Sequence, residues 1–110
     1  LAKLLLKHNV SVLVSLISPF KENREDARKI IGHDRFIEVY IKCSPSVCEE
    51  RDVKGMYKKA RLNEIKNFTG VNDDYEIPDK PDLTVNTETN SLDECMDQIA
   101  EHLGDYKSKL

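Results

Sequence analysis

A chain of 110 residues suffices for one domain, and a domain of this size buries only about two-thirds of the surface its unfolded form exposes, so a modest core is expected. Hydrophobic residues at 39% and charged residues at 34% are ordinary for a globular domain, and no apolar run approaches the roughly 20 residues that cross a bilayer, which argues against membrane insertion. The net charge of −3, with three cations against eleven acids over residues 67–110, argues against a general nucleic-acid surface, which needs cations spread over one face.

The three cysteines, Cys43, Cys48 and Cys95, form no C-x-x-C pair and support neither a disulfide framework nor a zinc site. Reduced thiols in a reducing compartment are the expectation, the cytoplasm first and a plastid as the alternative. His8, His33 and His102 have no metal-ligand spacing, so each reads as a solvated or helix-end residue, and no metal ligands are assigned.

In chain order, LAKLLLKHN reads as the last turns of an amphipathic helix with no N-cap residue before it, so the amino terminus looks cut. Val10 to Ile17 is an almost unbroken apolar run rich in β-branched residues, the signature of a strand buried on both faces of a parallel sheet. Pro19 stops it, because proline offers no ladder amide. A helix is expected over Asn23 to Ile31, with Asn23 as N-cap, Glu25 and Asp26 in the first turn, Arg28 and Lys29 near the end and Gly32 beyond.

Phe36 to Ile41 alternates and reads as a second strand, and Ser44-Pro45 opens a short helix through Arg51. Two strand-then-helix units imply right-handed crossovers and a parallel sheet. Residues 54–61 look helical, Leu62 to Asp82 reads as loop, and Leu83 to Val85 as a brief strand. Ser91 with Glu94 forms a capping box, and Leu92, Cys95, Met96, Ile99 and Leu103 make an apolar stripe on a core-packing final helix.

One stretch is not explained by a core. Arg51 to Gly70 carries six cations against two carboxylates, with Tyr57 and Phe68 and with Gly55 and Gly70 interleaved. Cations, flat apolar faces and flexible joints together suit a mobile flap closing over an anionic nucleotide. The plain alternative is a solvated helix face, the usual fate of a charge run. Phe68 would then be a buried anchor for its loop, and Ser18 a mere strand-ending residue before proline. Asp73, Asp74 and Glu76 lack the alternating spacing of a calcium loop and read as a solvated turn.

SLISPF, FIEVYI, CEERD, RDVKGMYKKAR, KNFTG and DDYEIP, in this order, resemble the adenylylsulfate kinases, which phosphorylate adenosine 5′-phosphosulfate on its 3′-hydroxyl with ATP. The resemblance implies an α/β, three-layer P-loop kinase-like fold with a parallel sheet, incomplete at the amino terminus, with residues 1–110 a single partial domain and a lid at about 51–75. By resemblance, Ile17 and Ser18 line the phosphosulfate substrate, and Lys54 lies near the reacting phosphates. Asn67 and Phe68 form the turn whose ring stacks on the substrate adenine, Arg51 lies on the ATP side, and Asn90 lies where the family contacts the ATP adenine. Ser18 and Lys54 are the catalytic candidates, Ser18 as a covalent phosphoryl carrier being the weaker idea because no general base is in view.

The implied cofactor is ATP with Mg2+, and a homodimer is a candidate assembly. No G-x-x-x-x-G-K-[ST] occurs in the chain, so the phosphate cradle, its lysine and its magnesium-holding hydroxyl are expected upstream, and the 110 residues alone are expected to be inactive. A non-catalytic dimerisation or regulatory module derived from such a kinase, or another P-loop small-molecule kinase, are the rival readings.

Overall fold

The computed structural model describes residues 1–69 and 74–108, the side chains of 106–108 excepted. Among the described residues five helices and two strands follow in order: α1 Ala2–Lys7, α2 Lys21–Ile31, β1 Val39–Lys42, α3 Pro45–Arg51, α4 Met56–Arg61, β2 Leu83–Asn86 and α5 Leu92–Ser108. They divide into two compact units, Leu1–Phe36 with Tyr75–Ile77, and Ile37–Asp74 with Pro78–Leu110.

The second unit holds the sheet. β1 and β2 pair in parallel, Val39 opposite Leu83 through Lys42 opposite Asn86. The pairing is extended at both ends: the Glu38 amide donates to Asp82 Oδ2 at 2.7 Å, and the Thr87 amide to the Lys42 carbonyl at 3.0 Å. Parallel strands need a crossover, and residues 43–82, with α3 and α4, supply it. The buried centre is small, consisting of Ala60, Val85 and Cys95. Val85 is fully buried on β2 and Cys95 lies on α5, so the sheet packs against the final helix.

That helix begins as its capping box requires. The Ser91 amide donates to Glu94 Oε1 and the Glu94 amide donates to Ser91 Oγ, each at 3.1 Å. The expected apolar stripe is only partly used. Cys95 is buried and Ile99 and Leu103 are half-buried, whereas Leu92 and Met96 are exposed, because the two-stranded sheet is too narrow to cover the whole face.

In the first unit the expected strand over Val10 to Ile17 is not formed. A strand is made by its neighbour's hydrogen bonds, and among the described residues β1 and β2 pair only with one another. Its side chains accordingly face solvent, Leu13 at 90% and Leu16 at 75% exposure, where burial on both faces was expected. The α2 helix starts two residues before Asn23, with Phe20 at the N-cap and no side-chain cap there. Its first amide, of Lys21, instead donates to Glu76 Oε1 at 2.9 Å, so a distant carboxylate supersedes the local cap. The strand expected from Phe36 is β1, beginning at Val39 and reaching Lys42, where partners on β2 exist.

Candidate functional site

Ile17 and Ser18 lie in the first unit. Ile17 is exposed, and Ser18 is half-buried with φ 44°, in the left-handed region that a non-glycine residue occupies only when its surroundings hold it there. What holds it is Arg24 on α2. Its Nη1 donates to the Ser18 carbonyl, its Nη2 to the Glu76 carbonyl, and its guanidinium lies 5.6 Å from the centre of the Tyr75 ring. The Glu76 amide donates to the Pro19 carbonyl at 2.8 Å. One arginine thus ties the turn after the apolar run to residues 75–76. The sequence offered the acids of that segment as a solvated turn, while its working parts are the Tyr75 ring and the Glu76 carbonyl, amide and carboxylate.

The remaining candidates lie in the second unit, on and around α3 and α4. Ser44 and Pro45 open α3 as expected, although the Ser44 side chain makes no cap bond; its amide donates to Glu88 Oε1. The Ser44 hydroxyl, and after it the Ser44 amide, hold the Glu88 carboxyl below its ordinary range. At the far end of α3, Arg51 turns its fork onto the loop after β2, donating to Thr87 Oγ1 at 3.2 Å and to the Thr87 carbonyl at 2.8 Å. The same loop carries Asn90, whose Nδ2 donates to the Asn86 carbonyl at 3.1 Å. Two residues far apart in sequence and both expected on the ATP side are therefore fixed on one loop.

Between α3 and α4 comes the turn with Lys54, exposed, and Gly55 at φ 64°, a conformation a side chain would strain. Gly55 is the N-cap of α4 and has no side chain to cap with. Asp52 substitutes for it: Oδ1 accepts from the Tyr57 amide at 2.9 Å and Oδ2 from the Lys58 amide at 3.1 Å. A carboxylate on the second and third amides of a helix satisfies two orphan donors and complements the positive helix end. This role was not anticipated; the signal was an Asp three residues before a glycine that begins a helix.

α4 is pinned back to α3 by Arg61, whose Nε donates to Glu49 Oε1 at 2.8 Å and Nη2 to Oε2 at 3.2 Å. The guanidinium holds the Glu49 carboxyl below its usual range. Arg61 is thus one of the flap's six cations that is already paired. Asn67 lies in the left-handed region, φ 56°, and leads into Phe68, which is half-buried. The Phe68 ring meets Tyr57 edge to face, centroids 4.9 Å apart and planes at 74°. The aromatic pair ties the turn to α4, as an anchor does. Gly70 and Asp73, with residues 71 and 72, lie outside the described residues, so that part of the lid expected at about 51–75 has no structural account.

Tyr57 also faces α3: burial, followed by the neighbouring Cys48, pushes its phenol up. Among the described residues no group of three or more His, Cys, Asp or Glu side chains could hold a metal ion. No described helix is long and apolar enough to cross a membrane.

A parallel sheet whose two strands are joined by a helical crossover is consistent with a P-loop kinase-like α/β fold, and the structural neighbours share it. The chain belongs to the adenylylsulphate kinase family, whose model matches residues 1–86. It is 50% identical over 106 residues to the adenylyl-sulfate kinase of Clostridium acetobutylicum, covering 96% of this chain and 52% of that protein. It is 46% identical over 106 residues to that of Staphylococcus carnosus, with 96% and 53% covered. The Mycobacterium tuberculosis APS kinase CysC, solved in complex with AMPPNP and APS, superposes with a TM-score of 0.82 at 39% identity, covering 94% of this chain and 60% of that one. The chain therefore spans about half the length of the curated relatives it matches.

Proposed function

We propose that the protein to which these residues belong transfers the γ-phosphoryl group of ATP to the 3′-hydroxyl of adenosine 5′-phosphosulfate. The observation that carries this reading is identity of 50% to an adenylyl-sulfate kinase over nearly the whole chain, with a structural neighbour solved holding APS and an ATP analogue. Phosphoryl transfer asks for positioning and for cations that neutralise developing charge, more than for covalent chemistry.

Lys54, exposed on a turn beside a left-handed glycine, is the cation assigned to the reacting phosphates. Asn67 and Phe68 are assigned to the substrate adenine, Ile17 and Ser18 to the phosphosulfate, and Arg51 with Asn90 to the ATP side. For Arg51 the role is indirect, since its donors already bind Thr87 and hold the Asn90 loop in place. The described residues do not provide a magnesium ligand set, and no step is routed through that ion. The sequence has no phosphate-loop motif, so the 110 residues by themselves should not turn over, and the protein works in a reducing compartment.

A two-part assay tests this. The chain alone, supplied with ATP, magnesium and APS, should release no ADP. The chain joined to the portion of the Clostridium acetobutylicum relative that it does not span should form the 3′-phosphorylated product. Turnover by the chain alone would overturn the inactivity, and a folded but inactive chimera would overturn the kinase reading.

A further inference from the structure

Cys43 and Cys48 lie on and beside α3, next to Arg51, and nothing in the proposed reaction uses their thiols. α3 runs from Pro45 with Ser44 at its N-cap, so Cys43 is the residue before the cap and Cys48 the fourth residue of the helix. Those two positions are the ones whose side chains meet across the first turn of a helix, where apolar residues commonly form a staple. Here the staple consists of two thiols. Both residues are free and half-buried, and Cys43 is among the neighbours that shift the Cys48 thiol. Arg51 Nη1 lies 3.8 Å from Cys43 Sγ. The nucleophile in disulfide exchange is the thiolate. Cys95 takes no part: it is buried on α5, its Sγ 3.8 Å from the Asn86 carbonyl oxygen.

We propose that Cys43 and Cys48 form a reversible disulfide across the first turn of α3, making this C-x4-C pair a redox modification site. The oxidant class is a low-molecular-weight disulfide such as oxidised glutathione. The Cys43 thiolate attacks one of its sulfurs, forming a mixed disulfide and expelling one glutathione thiolate. Cys48, as thiolate, then attacks Cys43 Sγ; the protein S–S bond forms, and the second glutathione leaves. Two electrons pass from the protein thiols to the oxidant, and the two protons end on the two released thiols. Burial pushes the Cys48 thiol up, so the second step is the slow one at neutral pH. Cys48 neighbours Tyr57, whose ring is the partner of Phe68, which couples the thiol pair to the turn at 67–68.

The test is exposure of the full 110-residue chain to mixtures of reduced and oxidised glutathione, acid quenching, alkylation and peptide mapping by mass spectrometry. The expected product is lighter by two hydrogen atoms, links Cys43 to Cys48 and leaves Cys95 alkylated. Cys95→Ser should leave its yield unchanged. Cys43→Ser and Cys48→Ser should each abolish it and leave one glutathione on the surviving partner, and the wild-type map needs no variant to fold. Glutathione adducts on both cysteines with no bond between them, or disulfides only between chains, would overturn the proposal.

Discussion

Lys54 and Phe68 occupy different physical situations within a short stretch, and they should fail differently. Lys54 is exposed on a turn, free to meet a phosphate, whereas Phe68 is half-buried against Tyr57. In a catalytically complete version of the protein, Lys54→Ala is expected to lower kcat strongly, because a closing cation acts on the charge that develops in transfer. Phe68→Ala should chiefly raise KM for adenosine 5′-phosphosulfate, by roughly 5- to 150-fold if base stacking contributes about 1–3 kcal/mol. Tyr57→Ala separates the two tasks of Phe68. Should the ring serve only as an anchor, both alanine variants will lower Tm and neither will move KM. Steady-state kinetics with thermal melts decide it.

Among the elements, α4 shows how a short helix is kept. It has six residues, too few to be stable through its own hydrogen bonds, and its N-cap is a glycine. Asp52 and the Arg61–Glu49 pair hold its two ends. The ion pair is exposed and so contributes little, which leaves Asp52 as the stronger contact. Replacing Asp52 by Ala is expected to cost about 0.5–2 kcal/mol, the range for a lost side-chain cap, and Asp52→Asn, which keeps an acceptor oxygen, should cost less. Urea unfolding monitored by circular dichroism checks this; equal losses in the two variants would show that charge, not hydrogen bonding, is what α4 needs.

Taken as a whole, the 110-residue chain exposes the apolar run at Val10 to Ile17. Monomeric proteins seldom expose contiguous apolar surface of this kind, and an unpaired extended segment of β-branched residues is an association hazard. The 110-residue chain is expected to self-associate with rising concentration. A Leu13→Lys, Leu16→Lys double variant should scatter less light at matched concentration while keeping its circular dichroism spectrum. Unchanged scattering would place the association on another surface.

Much of this protein could be read locally. The capping box at Ser91, the proline-led start of α3 and the helical stretch around residues 56–61 all rest on chemistry within a few residues, and all are present. The family, too, was legible, because its sequence strings are dense between Ser15 and Pro78 and occur in order. Tertiary structure decided what depends on distant partners. Whether Val10 to Ile17 becomes a strand depends on a neighbour to pair with, and α2 starts where Glu76 reaches its first amide. Arg51 is committed to Thr87 rather than left free as a flap cation, and Phe68 meets Tyr57. Hydrogen-bond partners and ring contacts many residues away leave no local pattern, so the sequence determined the elements and the family, and the fold decided which side chains remain free to act.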